Sequence, residues 1–157
     1  DSELKSVYIP ASVEKIEEDA FGGRYSLEKI TVSPENKNYA SDGSGALFTK
    51  DMRTLIMLPD GTTITEYTIP DGVYTVYPWA IDGKVEVVNV PASVDECADA
   101  FHGNWLTAVN VDPANKNYAS DEYGVLYNKE MTELLFYPIG SPRDRYRVHD
   151  VVSAFSD

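Results

Sequence analysis

Few side chains of this sequence have the types and spacing that catalysis requires. The candidates for a nucleophile or a proton carrier are Cys97, His102 and His149. An active site needs a nucleophile, a base and an orienting group in a recognisable arrangement. The chain has no Gly-x-Ser-x-Gly elbow, no glycine-rich phosphate loop ending in Lys-Ser or Lys-Thr, and no His-Glu-x-x-His. We therefore predict a protein that is not an enzyme, with no catalytic residue and no cofactor.

Metal binding is the second chemistry that the residue types suggest. Acidic side chains cluster at Glu17–Asp19, Asp42–Gly45 and Asp121–Glu122. None of these clusters has the alternating ligands of an EF-hand loop, so we interpret them as solvated turns and predict no metal site, with calcium binding left open. The single cysteine excludes an internal disulfide and a cysteine-only zinc site.

Charge and hydropathy narrow the class of partner. The chain has 157 residues, with 13 Lys and Arg against 26 Asp and Glu, and a net charge of −13. Such acidity repels nucleic acid and anionic lipid. The longest apolar runs, such as Leu55–Leu58, are far short of the roughly 20 residues of a membrane span, so no membrane insertion is predicted. The sequence has no signal peptide, and we expect that one was removed or lies outside it.

An internal duplication organises the chain. The segment Asn36–Asp42 recurs letter for letter as Asn115–Asp121. The match extends on both sides and defines a repeated unit of about 80 residues, 4–61 and 85–140, within one domain over residues 1–157. Residues 141–157 form a degenerate terminal repeat. Because Asn and Asp cap turns through local hydrogen bonds, we predict a structural role for the identical segments.

A finer period lies inside this unit. A short apolar pattern ends at Ile9, Val32, Ile69, Val90 and Val111. The interval is 23 residues between the first two of these positions and 21 residues between each successive pair of the last three. This interval is typical of repeats whose short strands stack into a solenoid, because one repeat alone cannot bury its apolar face. The pattern predicts parallel strands with alternate side chains facing inward.

A second pattern follows three of the strands and ends in an Ala-Phe or Ala-Ile pair. It predicts a helical or irregular turn in which Phe21 and Phe101 plug the core. Cys97 takes the place of Ile16 and Val76, which predicts a buried thiol with a raised pKa. The tyrosines at repeat positions, such as Tyr39 and Tyr118, are expected to pack with their hydroxyl groups in solvent.

With these motifs, the sequence resembles the BspA-like leucine-rich repeat family of bacterial surface proteins. The residues that carry the resemblance are the strand, Ser-Val and Ala-Phe pattern of Leu4 to Phe21 and the longer unit of Asn115 to Gly140. We predict a mostly β, right-handed leucine-rich-repeat solenoid of about five to six repeats, with little helix. Two inserted β-hairpins are expected, at Gly45–Pro59 and at Gly124–Pro138.

The outward strand positions are the candidate binding face. One outward residue of each repeat is expected to stack into a ladder on one sheet face, and these residues are Tyr8, Thr31, Thr68, Asn89, Asn110 and Arg147. Trp79 is a candidate aromatic contact, because it occupies a place that is acidic in the sister repeats, Asp19 and Asp99. The alternative for the strand positions is a plain solvated face.

The resemblance implies a non-enzymatic adhesion domain at the cell surface or in the extracellular medium, which binds a host or matrix protein. Two alternatives stay open: a carbohydrate- or cell-wall-binding module that uses aromatic residues such as Trp79, and a structural spacer in a longer surface protein. The oligomeric state is not predicted.

Overall fold

A computed structural model describes residues 4–21, 26–150 and 154–155. Within these ranges the chain contains strands and turns but no helix, and it winds into a β-solenoid of about five turns. The mostly β repeat fold predicted from the sequence is therefore confirmed. The strands are β1 Ser6–Ile9, β2 Lys29–Val32, β3 Tyr39–Ser41, β4 Leu47–Thr49, β5 Thr54–Met57, β6 Glu66–Thr68, β7 Thr75–Val76, β8 Val87–Val90, β9 Ala108–Val111, β10 Tyr118–Ser120, β11 Leu126–Asn128, β12 Glu133–Phe136 and β13 Ala154–Phe155.

The repeat strands pair in parallel, as the sequence pattern predicts. β1 pairs with β2, and β6, β8 and β9 form a three-stranded sheet in that order. In this second sheet Tyr67, Val88 and Val109 lie side by side and are buried. On each strand, the residues before and after the buried one point away from the core, because successive side chains of a strand alternate between its two faces.

The two long insertions form antiparallel sheets. β4 and β5 make the first predicted hairpin, and β11 and β12 make the second. The structure adds a third strand to each hairpin, β3 against β4 and β10 against β11. These added strands contain part of the duplicated segments, whose Asn and Asp residues predicted turns.

A second row of pairings runs along another side of the solenoid. β5 pairs in parallel with β7, and Thr75 then forms a parallel bridge with Glu96. Ile81 and Phe101 form a further parallel bridge at the Ala-Phe pattern. The turn predicted as helical or irregular is thus irregular, and short bridges hold each coil to the next.

Two tyrosines correct the prediction that their hydroxyl groups lie in solvent. The Tyr39 hydroxyl accepts a hydrogen bond from the Ile16 backbone N–H at 2.9 Å, and the Tyr118 hydroxyl accepts one from the Cys97 N–H at 3.1 Å. Each hydroxyl satisfies a backbone donor of the preceding coil, which would otherwise be unpaired at the start of an inserted sheet.

Gly124 shows why each insertion fits beside its repeat strand. Its φ is +74°, and its carbonyl accepts a hydrogen bond from the Val109 N–H at 2.8 Å. A Cβ atom at Gly124 would lie 2.6 Å from the Ala108 Cα, so only glycine allows the two backbones to approach this closely. Gly45 makes the same hydrogen bond with Ile30, at 2.9 Å.

Asp60 supplies a pH-dependent contribution to stability. Partial burial, with the nearby charge of Asp82, raises the pKa of the Asp60 carboxyl to about 6. Because the folded state must hold an ionised, half-buried carboxyl at high pH, stability is highest below the unfolded pKa of Asp60 and is lost as the pH rises through about 6. Since solvent screens this half-buried group, we expect Asp60→Asn to stabilise the protein by about 1 kcal/mol at pH 8 and to have little effect at pH 3.5.

Urea denaturation at the two pH values measures this difference. Exposed Asp144 provides the control, because Asp144→Asn should leave the free energy of unfolding nearly unchanged at both. An equal change for Asp60→Asn at pH 3.5 and pH 8 would contradict the assignment.

Candidate functional site

A groove crosses the sheet of β6, β8 and β9. Its volume is about 330 Å³, and three of the residues predicted for the binding face line it: Thr68, Asn89 and Asn110. These three lie in register on adjacent strands. The groove also involves Asp71 and Asp112, just beyond β6 and β9. The strands position the first three residues, and the chain leaving each strand positions the two carboxylates.

The polar side chains of this groove form a chain of hydrogen bonds. Asn89 Nδ2 donates to Glu66 Oε1 and to Thr68 Oγ1, both at 3.0 Å. Asn110 Nδ2 approaches Asn89 Oδ1 at 3.5 Å, which is a weak contact. The amides therefore donate toward the earlier strand, and Asn110 Oδ1 has no donor among the described residues. The groove thus presents acceptor oxygens to a ligand. We name it the amide groove.

The prediction of a continuous six-residue ladder is wrong, because the strands that carry its residues belong to separate sheets. Tyr8 and Thr31 pair on β1 and β2, but this sheet is separate from that of Thr68, Asn89 and Asn110. The reason is the first insertion, because the chain at Gly45 bonds to Ile30 in the place beside β2 where another repeat strand was expected. Tyr8 is 63% exposed and faces solvent.

Arg147 is also displaced from the predicted ladder. The structure has no strand over 143–150, so the terminal copy predicted there does not continue the sheet. The Arg147 guanidinium instead pairs with Asp150 at 2.8 Å. The nearby Tyr146 hydroxyl donates to Asp121, which ties this segment to the second insertion.

Trp79, the candidate aromatic contact, lies on a different surface. It is 64% exposed, and its ring stacks on that of His102 with centroids 3.4 Å apart. Its neighbour Tyr77 lines a second groove with Glu96 and Asp99. The sequence pattern shows that Trp79 replaces an acidic residue, but it carries no signal for the contact with His102. Trp105 is 56% exposed.

Cys97, His102 and His149, the candidates for a nucleophile or a proton carrier, each have their own set of contacts. Cys97 is buried, and burial raises the pKa of its thiol to about 12, as the sequence predicted in direction. His102 stacks on Trp79, and one ring nitrogen lies 2.9 Å from the Asp99 carbonyl oxygen. His149 is exposed and donates its backbone N–H to the Tyr127 hydroxyl. These contacts assign the three residues to packing and to the surface.

Two of the three acidic clusters, Asp42–Gly45 and Asp121–Glu122, cap turns, whereas Glu17 of the third pairs with Lys15. Asp42 Oδ1 accepts a hydrogen bond from the Ser44 N–H, and Asp121 Oδ1 accepts from the N–H groups of Tyr123 and Val125. Across the described ranges, no group of three or more His, Cys, Asp or Glu side chains is placed to hold a metal ion. The same part of the chain has no helix of the length and hydropathy that would cross a membrane.

The stacked parallel strands, with irregular turns between them and apolar residues inside, define a leucine-rich repeat solenoid. Solved structures with this fold match the chain. One is a leucine-rich repeat protein from Eubacterium ventriosum, with a TM-score of 0.54 and 19% identity, covering 98% of this chain and 49% of that one. Another is a leucine-rich cell surface protein from Faecalibacterium prausnitzii, with a TM-score of 0.57 and 23% identity, covering 71% and 31%.

A third similar structure is the pneumococcal vaccine antigen PcpA, with a TM-score of 0.60 and 21% identity, covering 71% of this chain and 28% of that one. The chain therefore spans between about a quarter and a half of the length of these proteins. Searches among models of known families and among curated proteins give no match. The neighbours are a leucine-rich repeat protein, a leucine-rich cell surface protein and PcpA, consistent with the resemblance to the BspA-like family.

Proposed function

We propose that this chain is a non-enzymatic binding module of a secreted or cell-surface bacterial repeat protein, and that it holds an extracellular protein at the amide groove. The observation that carries the proposal is the alignment of Thr68, Asn89 and Asn110 across three paired strands, over a groove of about 330 Å³. The similar fold of the leucine-rich cell surface protein from Faecalibacterium prausnitzii supports the surface location.

The physical basis is a rigid sheet that presents polar side chains. Tyr67, Val88 and Val109 anchor the strands in the core, so the outward residues keep fixed spacings. An array of side-chain oxygens accepts hydrogen bonds from the N–H groups of a protein ligand, and a preorganised array loses little conformational entropy on binding. Nothing in this arrangement requires a chemical step.

Biolayer interferometry tests the proposal. The purified chain is passed over immobilised fibronectin, fibrinogen, mucin and a panel of polysaccharides at two salt concentrations. We expect saturable binding to a protein, weakened about tenfold or more by Asn89→Ala with Asn110→Ala, since truncating central contact residues has the largest effect on affinity. Tyr8→Ala is the matched control, because Tyr8 is exposed on the separate sheet of β1 and β2.

Each other result points to one of the alternatives. An equal loss in the control would place binding on both sheets together. Saturable binding to a polysaccharide alone would favour a carbohydrate- or cell-wall-binding module. An absence of binding to every member of the panel would favour a structural spacer, with recognition carried out by other parts of a longer protein.

A further inference from the structure

A second surface combines exposed aromatic rings with unpaired acids. It lies on β7 and the coil that follows, away from the sheet of the amide groove. A groove of about 210 Å³ lies there, and its lining includes Tyr77, Pro78, Glu96 and Asp99. Trp79 directly follows Pro78. We name it the aromatic–acidic groove.

Trp79 is held in an unusual conformation that displays its ring. Its φ is +61°, in the left-handed region that bulky residues rarely adopt. The Trp79 backbone N–H donates to the Asp99 carbonyl at 2.9 Å, and the same carbonyl lies 2.9 Å from the His102 ring nitrogen. The indole therefore rests on the imidazole, with an interplanar angle of 6°, and remains 64% exposed. Backbone strain that persists at an exposed aromatic residue points to a role in contact rather than in packing.

The charge of the groove is not neutralised within the described chain. The ion pairs among all the described residues are Lys5–Glu28, Lys15–Glu17 and Arg147–Asp150, and none of them lies in this groove. No described Lys or Arg side chain therefore pairs with Glu96 or Asp99 within 4.0 Å. Two carboxylates that line one groove with an aromatic ring attract a cation, because both the charges and the ring quadrupole favour it.

The same molecule shows that its exposed tyrosine rings accept guanidinium groups. The Arg143 guanidinium carbon lies 3.8 Å from the ring centroid of Tyr123, and that of Arg53 lies 5.5 Å from the centroid of Tyr74. Tyr77 and Trp79 have no such cation among the described residues, although both are exposed. Their exposed ring surfaces are therefore available to contact a cation from another molecule.

We propose that the aromatic–acidic groove binds a Lys or Arg side chain from a basic segment of a partner protein. The aliphatic stem lies along Tyr77 and Pro78, the cationic head lies between Glu96 and Asp99, and the indole of Trp79 contacts the neighbouring residue of the segment. This inference deepens the proposed protein-binding function by naming the chemistry of the partner. It uses a surface separate from the amide groove, so the two can fail independently.

Fluorescence anisotropy with a fluorescein-labelled peptide of alternating Arg and Gly tests the inference at about 50 mM salt, where screening is weak. We expect Glu96→Gln with Asp99→Asn to raise the Kd at least tenfold, and Trp79→Ala to raise it about fivefold. The contacts of Asp99 with Trp79 and His102 come from its backbone carbonyl, so Asp99→Asn leaves them in place. Circular dichroism and thermal melting confirm that each variant folds.

Two controls separate a site from general attraction to an acidic protein. Glu17→Gln with Glu18→Gln removes the same charge from exposed positions of another coil, and it should change the Kd less than twofold. Asn89→Ala with Asn110→Ala should also leave peptide binding unchanged, whatever its effect on the proposed protein ligand. Equal losses in the two acidic double variants, or no peptide binding at all, would overturn the inference. Binding of a neutral oligosaccharide that requires Trp79, without peptide binding, would replace it with a sugar site.

Discussion

Replacing Phe101 by Ala is expected to lower the free energy of unfolding by about 3–5 kcal/mol, the usual range for a buried aromatic side chain. Phe101 is 2% exposed and belongs to the larger of the two core clusters. Its ring lies against that of Phe136, with centroids 6.0 Å apart, and its backbone bridges to Ile81 in the preceding coil. Truncation therefore opens a cavity between the repeat turns and the second insertion. Urea denaturation monitored by circular dichroism gives the change.

Phe21 is the matched comparison within the same molecule. The sequence pattern predicts that both phenylalanines plug the core, but Phe21 is only half-buried and belongs to the smaller cluster. The coil that contains Phe21 has one described neighbour and so buries only one of its sides. Its side chains therefore gain less free energy from packing than those of a coil with neighbours on both sides. We expect Phe21→Ala to cost less than half of the change in Phe101→Ala. Equal effects would show that the two sites are packed alike.

The features that the sequence predicted well are those fixed by a strict period. Val88 and Val90 alternate with outward residues on β8, and the same spacing recurs at Val109 and Val111, so strand direction and inward faces followed directly. Cys97 could be assigned to the core because aliphatic residues fill its place in the other repeats. Such inferences rest on the need to bury apolar side chains in each repeat.

Contacts between the repeats and the insertions could not be predicted in the same way. The pattern aligns Thr31 and Thr68 as successive outward residues, yet it says nothing about which backbone lies between them. The Tyr39 and Tyr118 hydroxyl groups bond to backbone more than 20 residues away in sequence. A periodic pattern records burial at each position, whereas these hydrogen bonds depend on the three-dimensional path of an aperiodic segment.

Trp79 illustrates a second kind of feature that could not be predicted from the sequence. Its replacement of an acidic residue is visible in the sequence, but its left-handed backbone and its stacking on His102 are not. Both depend on the Asp99 carbonyl, which any residue at that position would supply. Side-chain identity alone therefore cannot reveal the surface that Trp79 presents.

Asn115 is the polar centre of the second duplicated segment. Its side chain is 1% exposed, and all four of its hydrogen bonds go to backbone. Nδ2 donates to the carbonyl groups of Pro91 at 3.0 Å and Val94 at 2.8 Å, in the preceding repeat. Oδ1 accepts from the N–H groups of Asn117 and Tyr118, both at 2.9 Å. The structural role predicted from the duplication is thus confirmed, because Asn36 makes the same four contacts.

Asn115→Asp is expected to lower the free energy of unfolding by at least about 3 kcal/mol at pH 8. The carboxylate keeps the shape of the amide and can still accept from Asn117 and Tyr118. It loses both donors, so a buried negative charge faces the carbonyl oxygens of Pro91 and Val94. Urea denaturation of this variant, beside the parent chain, measures the loss.

The pH dependence separates the lost donors from a simple packing defect. Burial against two carbonyl groups raises the folded-state pKa of the introduced carboxyl above its unfolded value. The defect should therefore be smaller at pH 4, where the protonated acid donates one hydrogen bond, and should grow as the pH rises. Exposed Asn117, two residues along the same segment, is the control, and Asn117→Ala should cost less than about 1 kcal/mol. A loss in Asn115→Asp that is independent of pH would contradict this account, since it would show that no buried charge forms opposite the carbonyl groups of Pro91 and Val94.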